Sequence, residues 1–408
     1  MTAGLRIAVV KPDFGVAGGF ERLLDRLLDH LRSQGHRPHI VAVDARRRPT
    51  EVWGLPIDDH KWVRHPELFH YLGLTEAIRR LDLSRYDIAL STQPPSFLAP
   101  HPRTVALFYH QARVFYDLAE PWVAAGFGEA ELHHEAVEAV RAVDQAHLGG
   151  VVHWLAGSEE CQRRLAEYWS IVDSPTTRVS VLHAGPDLRA WPSPKGYQAA
   201  GPVVCVSRHE WPKRTELVVA AAHLLPDVPV EILGGGGRLP VLTSLDAQLA
   251  QGSLDPEAID DAALWANRGH VDPAFEPVTG AGRAGLTIAG AVSNRRRDRA
   301  YDAASAVVAP AYREDYGLTA VEAMAWGRPV IVCRDGGGLV ELVEGTGTGL
   351  VVEPTAGAIA AAIRSLRADP QQAAQMAARA REVASEFTWE RTFAELDDAV
   401  LNAASTRR

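Results

Sequence analysis

The sequence from residue 5 to residue 43 reads LRIAVVKPDFGVAGGFERLLDRLLDHLRSQGHRPHIVAV. Its first six residues form a short apolar run typical of a buried strand, and residues 39–43 form another. Between them, a loop with Gly18 and Gly19 precedes leucines that recur at helical spacing, and Gly35 ends the helix. This strand–loop–helix–strand order is a βαβ unit, so the sequence predicts a parallel sheet.

The same alternation continues along the chain and starts again at residue 203. Strand patterns lie at 87–91, 104–109, 154–156, 179–182, 203–206, 230–233, 286–289, 306–309, 330–333 and 350–352. Residues 186–202 are rich in proline and glycine and are therefore typical of a linker. We expect an α/β protein with two doubly wound domains in tandem, whose ligands bind in the cleft between the carboxyl ends of both sheets.

These patterns predict four segments. Residues 1–185 form a first Rossmann-like domain, 186–202 the linker, 203–385 a second Rossmann-like domain, and 386–408 a C-terminal helix that packs back on the first domain. Residues 238–285 fit poorly because they are rich in glycine, proline, aspartate and alanine and show little periodicity. We expect this stretch to be a flexible excursion outside the ligand site, so that trimming it leaves binding intact.

The composition is that of a globular protein, with 408 residues of which 47% are hydrophobic and 23% charged. A net charge of −9 argues against a nucleic-acid partner, because sequence-independent duplex binding requires neutralisation of phosphates. Cys161, Cys205 and Cys333 lie far apart, so we expect buried thiols in a reducing compartment. No apolar run approaches the ~18 residues that span a bilayer, and the first residues lack a signal-peptide pattern. We therefore predict a cytoplasmic protein, with peripheral membrane contact left open.

The strongest constellation of residues is PAYREDYGLTAVEAMAWGRP, at 310–329. A loop carries Glu314, Gly317 opens a helix with Glu322 on its first turns, and the helix ends before Pro329. N–H groups at such a helix start attract phosphate, and ionised carboxylates suit hydroxyl-rich ligands such as sugars and riboses. The residues alone leave open whether both glutamates face a ligand, or are a solvated loop residue and a residue that interacts with the helix dipole.

This block resembles the retaining nucleotide-sugar glycosyltransferases of the group 1, or family 4, type, which include bacterial mannosyl- and glucosyltransferases. The resemblance rests on Glu314 and Glu322, separated by seven residues, and on the Gly-Arg-Pro-Val, Gly336-Gly337 and Glu341 that follow. It implies the two-Rossmann GT-B fold. It also implies transfer of a sugar from a nucleoside diphosphate sugar to an acceptor hydroxyl, with retention at the anomeric carbon.

The resemblance assigns roles to residues of the second domain. Glu314 would orient the sugar hydroxyls, and Glu322 would bind the ribose. Arg208 and Lys213, in the block VVCVSRHEWPKR, would stabilise the leaving diphosphate, since an arginine fork and a lysine point charge both suit phosphate. Backbone N–H groups close to the sugar would come from the helix start, at Tyr316, Gly317 and Leu318.

The first domain supplies fewer residues to this prediction. Gly18 and Gly19 resemble the family's glycine loop, in which the backbone approaches the ligand closely. His110 ends the strand pattern at 104–109 and matches the histidine that the family places beside the donor sugar, and Arg113 follows in a similar family position. We expect His110 and Gly19 to complete the site when the domains close.

Three alternative functions were weighed. A nucleotide-sugar 2-epimerase has a similar fold, but the two spaced glutamates argue against it. A dinucleotide-dependent oxidoreductase needs a GxGxxG loop, which the loop at 15–19 lacks. A non-catalytic sugar-nucleotide-binding protein is disfavoured because Arg208, Lys213 and Glu314 are all present.

No cofactor and no metal are expected beyond the nucleotide-sugar co-substrate. The sequence contains no Asp-x-Asp motif and no cluster of His, Asp or Glu with metal-ligand spacing. The acceptor, whether a small molecule, a glycan or a lipid-linked group, is expected on the first domain. Aromatic residues there either contact the acceptor or pack in the core: Trp53, Trp62, Phe69, Tyr71, Phe115, Tyr116 and Trp122. The donor base, the sugar, the linkage and the oligomeric state do not follow from the sequence.

Overall fold

The computed structural model describes residues 4–15, 18–186, 188, 196–259 and 277–406. The chain divides into two compact units. The first contains the described residues up to Val123, the range Gly128–Ala184 and the residues from Trp389 onward. The second contains Ala124–Phe127 and the described residues between Gly185 and Thr388.

The first unit is built on a parallel sheet of six strands. Its strands are β1 (Arg6–Asp13), β2 (Arg37–Asp44), β5 (Ile88–Ser91), β6 (Thr104–Phe108), β7 (Val151–Ala156) and β8 (Arg178–Val181), and a small hairpin adds β3 (Glu51–Val52) and β4 (Leu55–Pro56). The order across the sheet is β2-β1-β5-β6-β7-β8. The direction of winding therefore reverses between β1 and β5, as in flavodoxin-like sheets.

The longer helices of this unit each bury several apolar residues, whereas two short ones bury none. The helices span Gly19–Ser33, Asp59–Arg64, Pro66–Arg79, Ala119–Ala124, Ala130–His147, Glu159–Trp169 and Trp389–Ser405. The last helix lies in the first unit, where Thr392 Oγ1 donates to the carbonyl of His183 at 2.7 Å. The ring of Phe393 stacks on His30 with 4.2 Å between centroids.

The second unit repeats the plan with a different strand order. Its strands are β9 (Val203–Val206), β10 (Val230–Leu233), β11 (Leu286–Ala289), β12 (Ala306–Ala309), β13 (Val330–Cys333) and β14 (Gly349–Val352). Its helices span Thr215–His223, Leu239–Ala250, Asn294–Ala303, Leu318–Ala325, Gly338–Val343, Ala356–Ala368 and Pro370–Ala384. The parallel sheet runs β11-β10-β9-β12-β13-β14, the Rossmann order, with its reversal between β9 and β12.

The two parallel sheets and the C-terminal helix confirm the predicted α/β fold class. Five of the predicted second-half strands, from β9 to β13, have the predicted bounds. All three cysteines are buried thiols, as expected, and burial raises the pKa of Cys205 to about 12. Residues 187 and 189–195 of the predicted linker lie outside the described residues.

The interpretation of residues 238–285 as an irregular excursion is wrong for residues 239–250. Leu239–Ala250 is a helix that buries Val241, Leu242 and Leu245. Leu242, Leu245 and Leu249 recur at helical spacing, a signal that the sequence analysis overlooked. The segment that returns to β11 is also held, because Asp246 accepts the N–H of Arg283 at 3.0 Å. Trimming this stretch would therefore remove packed structure. Residues 260–276 lie outside the described residues.

Candidate active site

The reversal point of the second sheet collects the loops that carry most of the predicted site residues. Ligands of doubly wound sheets bind at the carboxyl ends of the strands, at the point where the strand order reverses. Strands β9 and β12 are neighbours there. The loop after β9 carries Arg208 and Lys213, and the loop after β12 carries Glu314. Residues about one hundred positions apart in sequence are thus brought to one edge.

Lys213 and Glu314 are in direct contact at this edge. The Lys213 ammonium donates a short hydrogen bond to Glu314 Oε2. The two side chains are 19% and 17% exposed, so the pair is partly buried but still reachable from solvent. An ammonium has three N–H donors and a carboxylate has about four acceptor positions. Both groups therefore keep hydrogen-bonding capacity for a ligand while they are paired with each other.

Backbone hydrogen bonds fix the position of Glu314. Its N–H donates to the carbonyl of Gly336 at 2.9 Å, and its own carbonyl accepts from the N–H of Gly338 at 2.8 Å. Gly337 lies between them with φ +60°, and a Cβ on it would approach the Glu314 carbonyl to 2.7 Å. Only glycine allows this approach, which gives the predicted Gly336–Gly337 pair a structural reason.

The helix start that follows Glu314 is formed as predicted. Gly317 has φ +93° and precedes the helix Leu318–Ala325. The first N–H groups of a helix have no partner further along the helix and attract anions. Tyr316 is buried, and its ring lies 6.3 Å from that of Phe387. Leu318 is half-buried, so Tyr316 and Leu318 would act through their backbone.

Glu322 lies in a different environment from the one predicted. Its side chain is only 2% exposed. Arg297 Nη1 lies 3.2 Å from its Oε1, and Tyr301 Oη donates to its Oε2 at 3.2 Å. Burial, with the charge of Glu322, raises the pKa of Tyr301 well above its ordinary value, so this hydroxyl remains a donor. A ribose would have to share or displace these partners, and the ribose-binding role stays a prediction.

Arg208 lies on a loop whose backbone is tightly packed although its side chain is exposed. The neighbouring His209 is fully buried, which lowers its pKa, and its Nε2 lies 3.2 Å from the carbonyl of Ala289. A Cβ on Gly234 would lie 1.7 Å from the carbonyl of Ser207. The sequence analysis did not assign the glycine run at 234–237 to the site. The four consecutive glycines are visible in the sequence, but they follow β10 and match no phosphate-loop pattern.

In the first unit, the structure places Gly18 and Gly19 at the start of the helix Gly19–Ser33. The Gly18 N–H donates to Glu21 Oε2 at 2.8 Å. The Lys11 ammonium, from the end of β1, lies 3.6 Å from Glu21 Oε1. Glu21 thus connects the glycine loop to β1, and Lys11 adds a cation at this edge that the sequence analysis missed.

His110 lies near the same glycine loop. It follows β6, and its Nδ1 lies 2.6 Å from the carbonyl of Gln111. The ring of the preceding Tyr109 packs edge-on against Phe20, with 5.8 Å between centroids. Arg113 is engaged by Asp117, whose Oδ2 accepts from Nη2 at 2.6 Å. The structure therefore brings the two predicted first-unit segments together, with Arg113 in a local ion pair.

The aromatic residues considered for the acceptor differ in burial. Three of them are half-buried: Trp62, Phe69 and Trp122. Tyr71, Phe115 and Tyr116 are buried in the core of the first unit. Trp53, at the turn between β3 and β4, is 47% exposed. Core packing thus accounts for the three buried residues, whereas Trp53 remains available to a ligand.

Within the described ranges, no group of three or more His, Cys, Asp or Glu residues is arranged to hold a metal ion. None of the helices that the structure describes is both long and apolar enough to cross a bilayer.

Comparisons with known proteins agree with this architecture. Residues 282–383, which include Glu314 and Glu322, match the family "Glycosyl transferases group 1". The chain is 32% identical over 192 residues to a D-inositol 3-phosphate glycosyltransferase of Mycobacteroides abscessus, covering 45% of this chain and 37% of that protein. It is 28% identical over 251 residues to the protein of that name from Salinispora tropica, covering 58% and 48%. The chain thus spans less than half the length of these curated relatives.

Solved structures show the same fold over nearly the whole chain. Sucrose-phosphate synthase from Thermosynechococcus elongatus superposes with a TM-score of 0.65 at 21% identity, covering 98% of this chain and 100% of that one. HepE from Anabaena, solved in complex with UDP and glucose, superposes with a TM-score of 0.61 at 15% identity, covering 97% and 99%. At these identities the likeness concerns the fold alone.

Proposed function

We propose that this chain, which carries a glycosyl transferases group 1 domain on a GT-B fold, transfers a sugar from a nucleoside diphosphate sugar to an acceptor hydroxyl with retention at the anomeric carbon. The observation that carries the proposal is the contact between Lys213 and Glu314 at the reversal point of the second sheet. It combines a cation for a diphosphate with a carboxylate for sugar hydroxyls.

In this proposal the cations act on the leaving group. Negative charge develops on the diphosphate as the glycosidic bond breaks, and fixed donors aimed at that charge lower the barrier. Lys213 offers the N–H donors that Glu314 does not take. Arg208, exposed on the preceding loop, offers a fork of donors to the phosphate oxygens. The N–H groups at the start of Leu318–Ala325 add to this positive field.

Glu314 orients the sugar in the same proposal. Its backbone is fixed on both sides, so its carboxylate presents acceptors at a defined place. Sugar hydroxyls donate to such acceptors. The donor-site roles of Glu322, Gly18, Gly19 and His110 remain predictions from the family resemblance.

The partners follow from the same chemistry. We propose a nucleotide-sugar donor, and a small molecule, glycan or lipid-linked group as acceptor, in a cytoplasmic setting with no added cofactor. The name of the curated relatives points to a phosphorylated polyol as one acceptor to test, and the UDP complex of HepE points to UDP-sugars as donors to test.

A donor panel tests the proposal. The protein is incubated with UDP-, GDP- and ADP-sugars, with and without acceptors, and release of the nucleoside diphosphate is measured beside thermal shifts. We expect at least one donor to stabilise the protein and to release its diphosphate faster when an acceptor is present. Stabilisation without any turnover would instead favour a non-catalytic sugar-nucleotide-binding protein. NMR of the product then shows whether the anomeric configuration is retained.

A further inference from the structure

Arg214, the residue next to Lys213, is buried although it is an arginine. Its side chain is 0% exposed. Nη1 donates to Asp335 Oδ2 at 2.8 Å and Nη2 to Asp335 Oδ1 at 2.5 Å, which makes a bidentate pair. Nε donates to the carbonyl of Pro310 at 2.9 Å. One guanidinium therefore joins three separate segments: the end of the loop after β9, the start of the loop after β12 and the loop after β13.

Asp335 connects the same segments through its backbone. Its carbonyl accepts the N–H of Arg313 at 2.8 Å, next to Glu314. The N–H of Tyr312 donates to the carbonyl of Pro212 at 2.8 Å, next to Lys213. Backbone hydrogen bonds thus lie beside both members of the Lys213–Glu314 contact, and the Arg214–Asp335 pair connects the same loops.

The backbone is strained directly beside both Lys213 and Glu314. Arg214 has φ +47° and Arg313 has φ +44°. Non-glycine residues in this left-handed region are uncommon and cost on the order of 1–3 kcal/mol each, so they persist only where the surroundings fix them. Each of the two strained residues directly adjoins one member of the Lys213–Glu314 pair. Such strain is concentrated at functional sites.

Stability alone gives little reason for a buried ion pair. Burying the Arg214 guanidinium costs roughly what its attraction to the part-exposed Asp335 returns, so well-packed apolar residues often stabilise a protein as much. What the bidentate pair adds is a fixed geometry, because a planar guanidinium and a carboxylate align in few ways.

We infer that Arg214 and Asp335 are positioning residues that set the Lys213–Glu314 contact for catalysis. The inference rests on the proposed function, since the contact it positions is the one proposed to act on the donor. Neither residue touches substrate in this account. Their effect is on where the ammonium and the carboxylate lie.

Two variants test the inference without removing either member of the contact. Arg214→Gly removes the fork but suits the left-handed backbone, and Asp335, already 29% exposed, can be hydrated. Arg214→Lys keeps the charge but cannot make the bidentate pair. Since a misplacement of about 1 Å costs about 100-fold in rate, we expect kcat to fall about 10- to 100-fold in Arg214→Gly and less in Arg214→Lys. The donor KM should stay within about threefold, because Lys213 and Glu314 are both still present. A merely structural loss would instead lower the amount of active protein, with no graded rescue by lysine.

A control and a second measurement complete the design. Arg296→Ala removes an arginine of the same unit that pairs with Glu231 at 2.6 Å, and it should keep kcat within about twofold. Amide hydrogen exchange, compared between Arg214→Gly and Arg296→Ala, should accelerate at residues 311–316 only in Arg214→Gly. The kcat of the double variant Asp335→Asn, Arg214→Gly should be no lower than that of Arg214→Gly alone, because the two residues act as one pair.

The outcomes separate this inference from the proposed function. A wild-type protein inactive on every donor would contradict the function, and hydrogen exchange then decides the inference alone. Unchanged exchange at 311–316 in Arg214→Gly would overturn it. With an active wild type, turnover in Arg214→Gly equal to that of Arg296→Ala, or a rise in KM alone, would overturn it as well.

Discussion

The loop at 310–317 and the helix Leu318–Ala325 that follows it each carry one glutamate, but the two carboxylates differ in their surroundings. Glu314 is partly exposed and paired with a lysine that keeps donors for a ligand. Glu322 is buried and held by Arg297 and Tyr301. Two acids eight positions apart in one motif therefore differ in burial and in hydrogen-bonding partners. The comparison teaches that the spacing of a motif does not by itself say which of its residues faces a ligand.

The variant Glu322→Gln tests whether this buried carboxylate serves the fold or a ligand. Removing this charge takes one counter-ion from the nearly buried Arg297 but leaves Asp298 at 3.3 Å, so the cost should lie below the roughly 3–5 kcal/mol typical of an unpaired buried charge, at about 2–3 kcal/mol. We expect the free energy of unfolding to fall by about this amount, measured by denaturant titration, with a modest effect on the donor KM of the folded protein. The opposite pattern, unchanged stability and a donor KM raised tenfold or more, would assign Glu322 to the ribose.

The second test replaces the cations that are proposed to act with Glu314 on the donor. Lys213→Ala or Arg208→Ala should reduce turnover by about 10²–10³-fold, the scale of one lost transition-state donor. Binding of the donor diphosphate should weaken as well, as measured by calorimetry with the nucleoside diphosphate. Both side chains are at least partly exposed, so stability should change little. Normal turnover in both variants would refute the assignment.

A third carboxylate extends the comparison to an acid whose hydrogen bonds come from two tyrosine hydroxyls. Asp144 accepts hydrogen bonds from Tyr71 and Tyr116, both at 2.6 Å. Burial raises its pKa to about 6, although the two hydroxyls act in the opposite direction. Folding therefore favours the protonated acid, so its contribution to stability is complete below about pH 4 and is lost as the pH rises through about 6.

The matched variant for this site is Asp144→Asn, which cannot ionise. Relative to it, the wild type should lose about 3 kcal/mol of unfolding free energy between about pH 4 and pH 7, the equivalent of about two pKa units. Denaturant titrations of both proteins across this range check the prediction. A stability difference that stays constant with pH would show that Asp144 does not titrate as its burial requires.

The sequence predicted the fold well because each element carries its own local signal. Strands such as Val203–Val206 are short apolar runs bounded by turn residues. The helix Leu239–Ala250 was missed although Leu242, Leu245 and Leu249 recur at helical spacing, because the glycine- and proline-rich composition of residues 238–285 outweighed that pattern. The hairpin of β3 and β4 was missed because it has only two residues in each strand, and its turn is Trp53-Gly54.

The site was predicted less completely, for a different reason. The motif placed Glu314 and Lys213 correctly at the ends of adjacent strands. The partner of Arg214 is 121 positions away, and no local pattern reveals such a pair. No sequence pattern indicated either that Arg297 and Tyr301 contact Glu322. Long-range contacts of charged residues depend on the packed structure.

The smallest expected effect concerns metal removal. In the proposed mechanism Arg208, Lys213 and the helix-start N–H groups meet the diphosphate charge, so an added ion has no assigned role. Turnover in excess EDTA should stay within about twofold, which is under ~0.5 kcal/mol of barrier. Loss of activity on chelation, restored by magnesium or manganese, would show that this electrostatic assignment is wrong.

The most direct test of the central claim is the turnover of Glu314→Gln with the best donor of the panel, measured beside its unfolding free energy. Glutamine keeps the size of the side chain and one acceptor but removes the charge that Lys213 contacts. We predict that nucleoside diphosphate release falls at least about 100-fold, while the unfolding free energy changes by no more than about 1 kcal/mol. Turnover equal to that of the wild-type protein would contradict the claim that the Lys213–Glu314 contact is where this protein performs its chemistry.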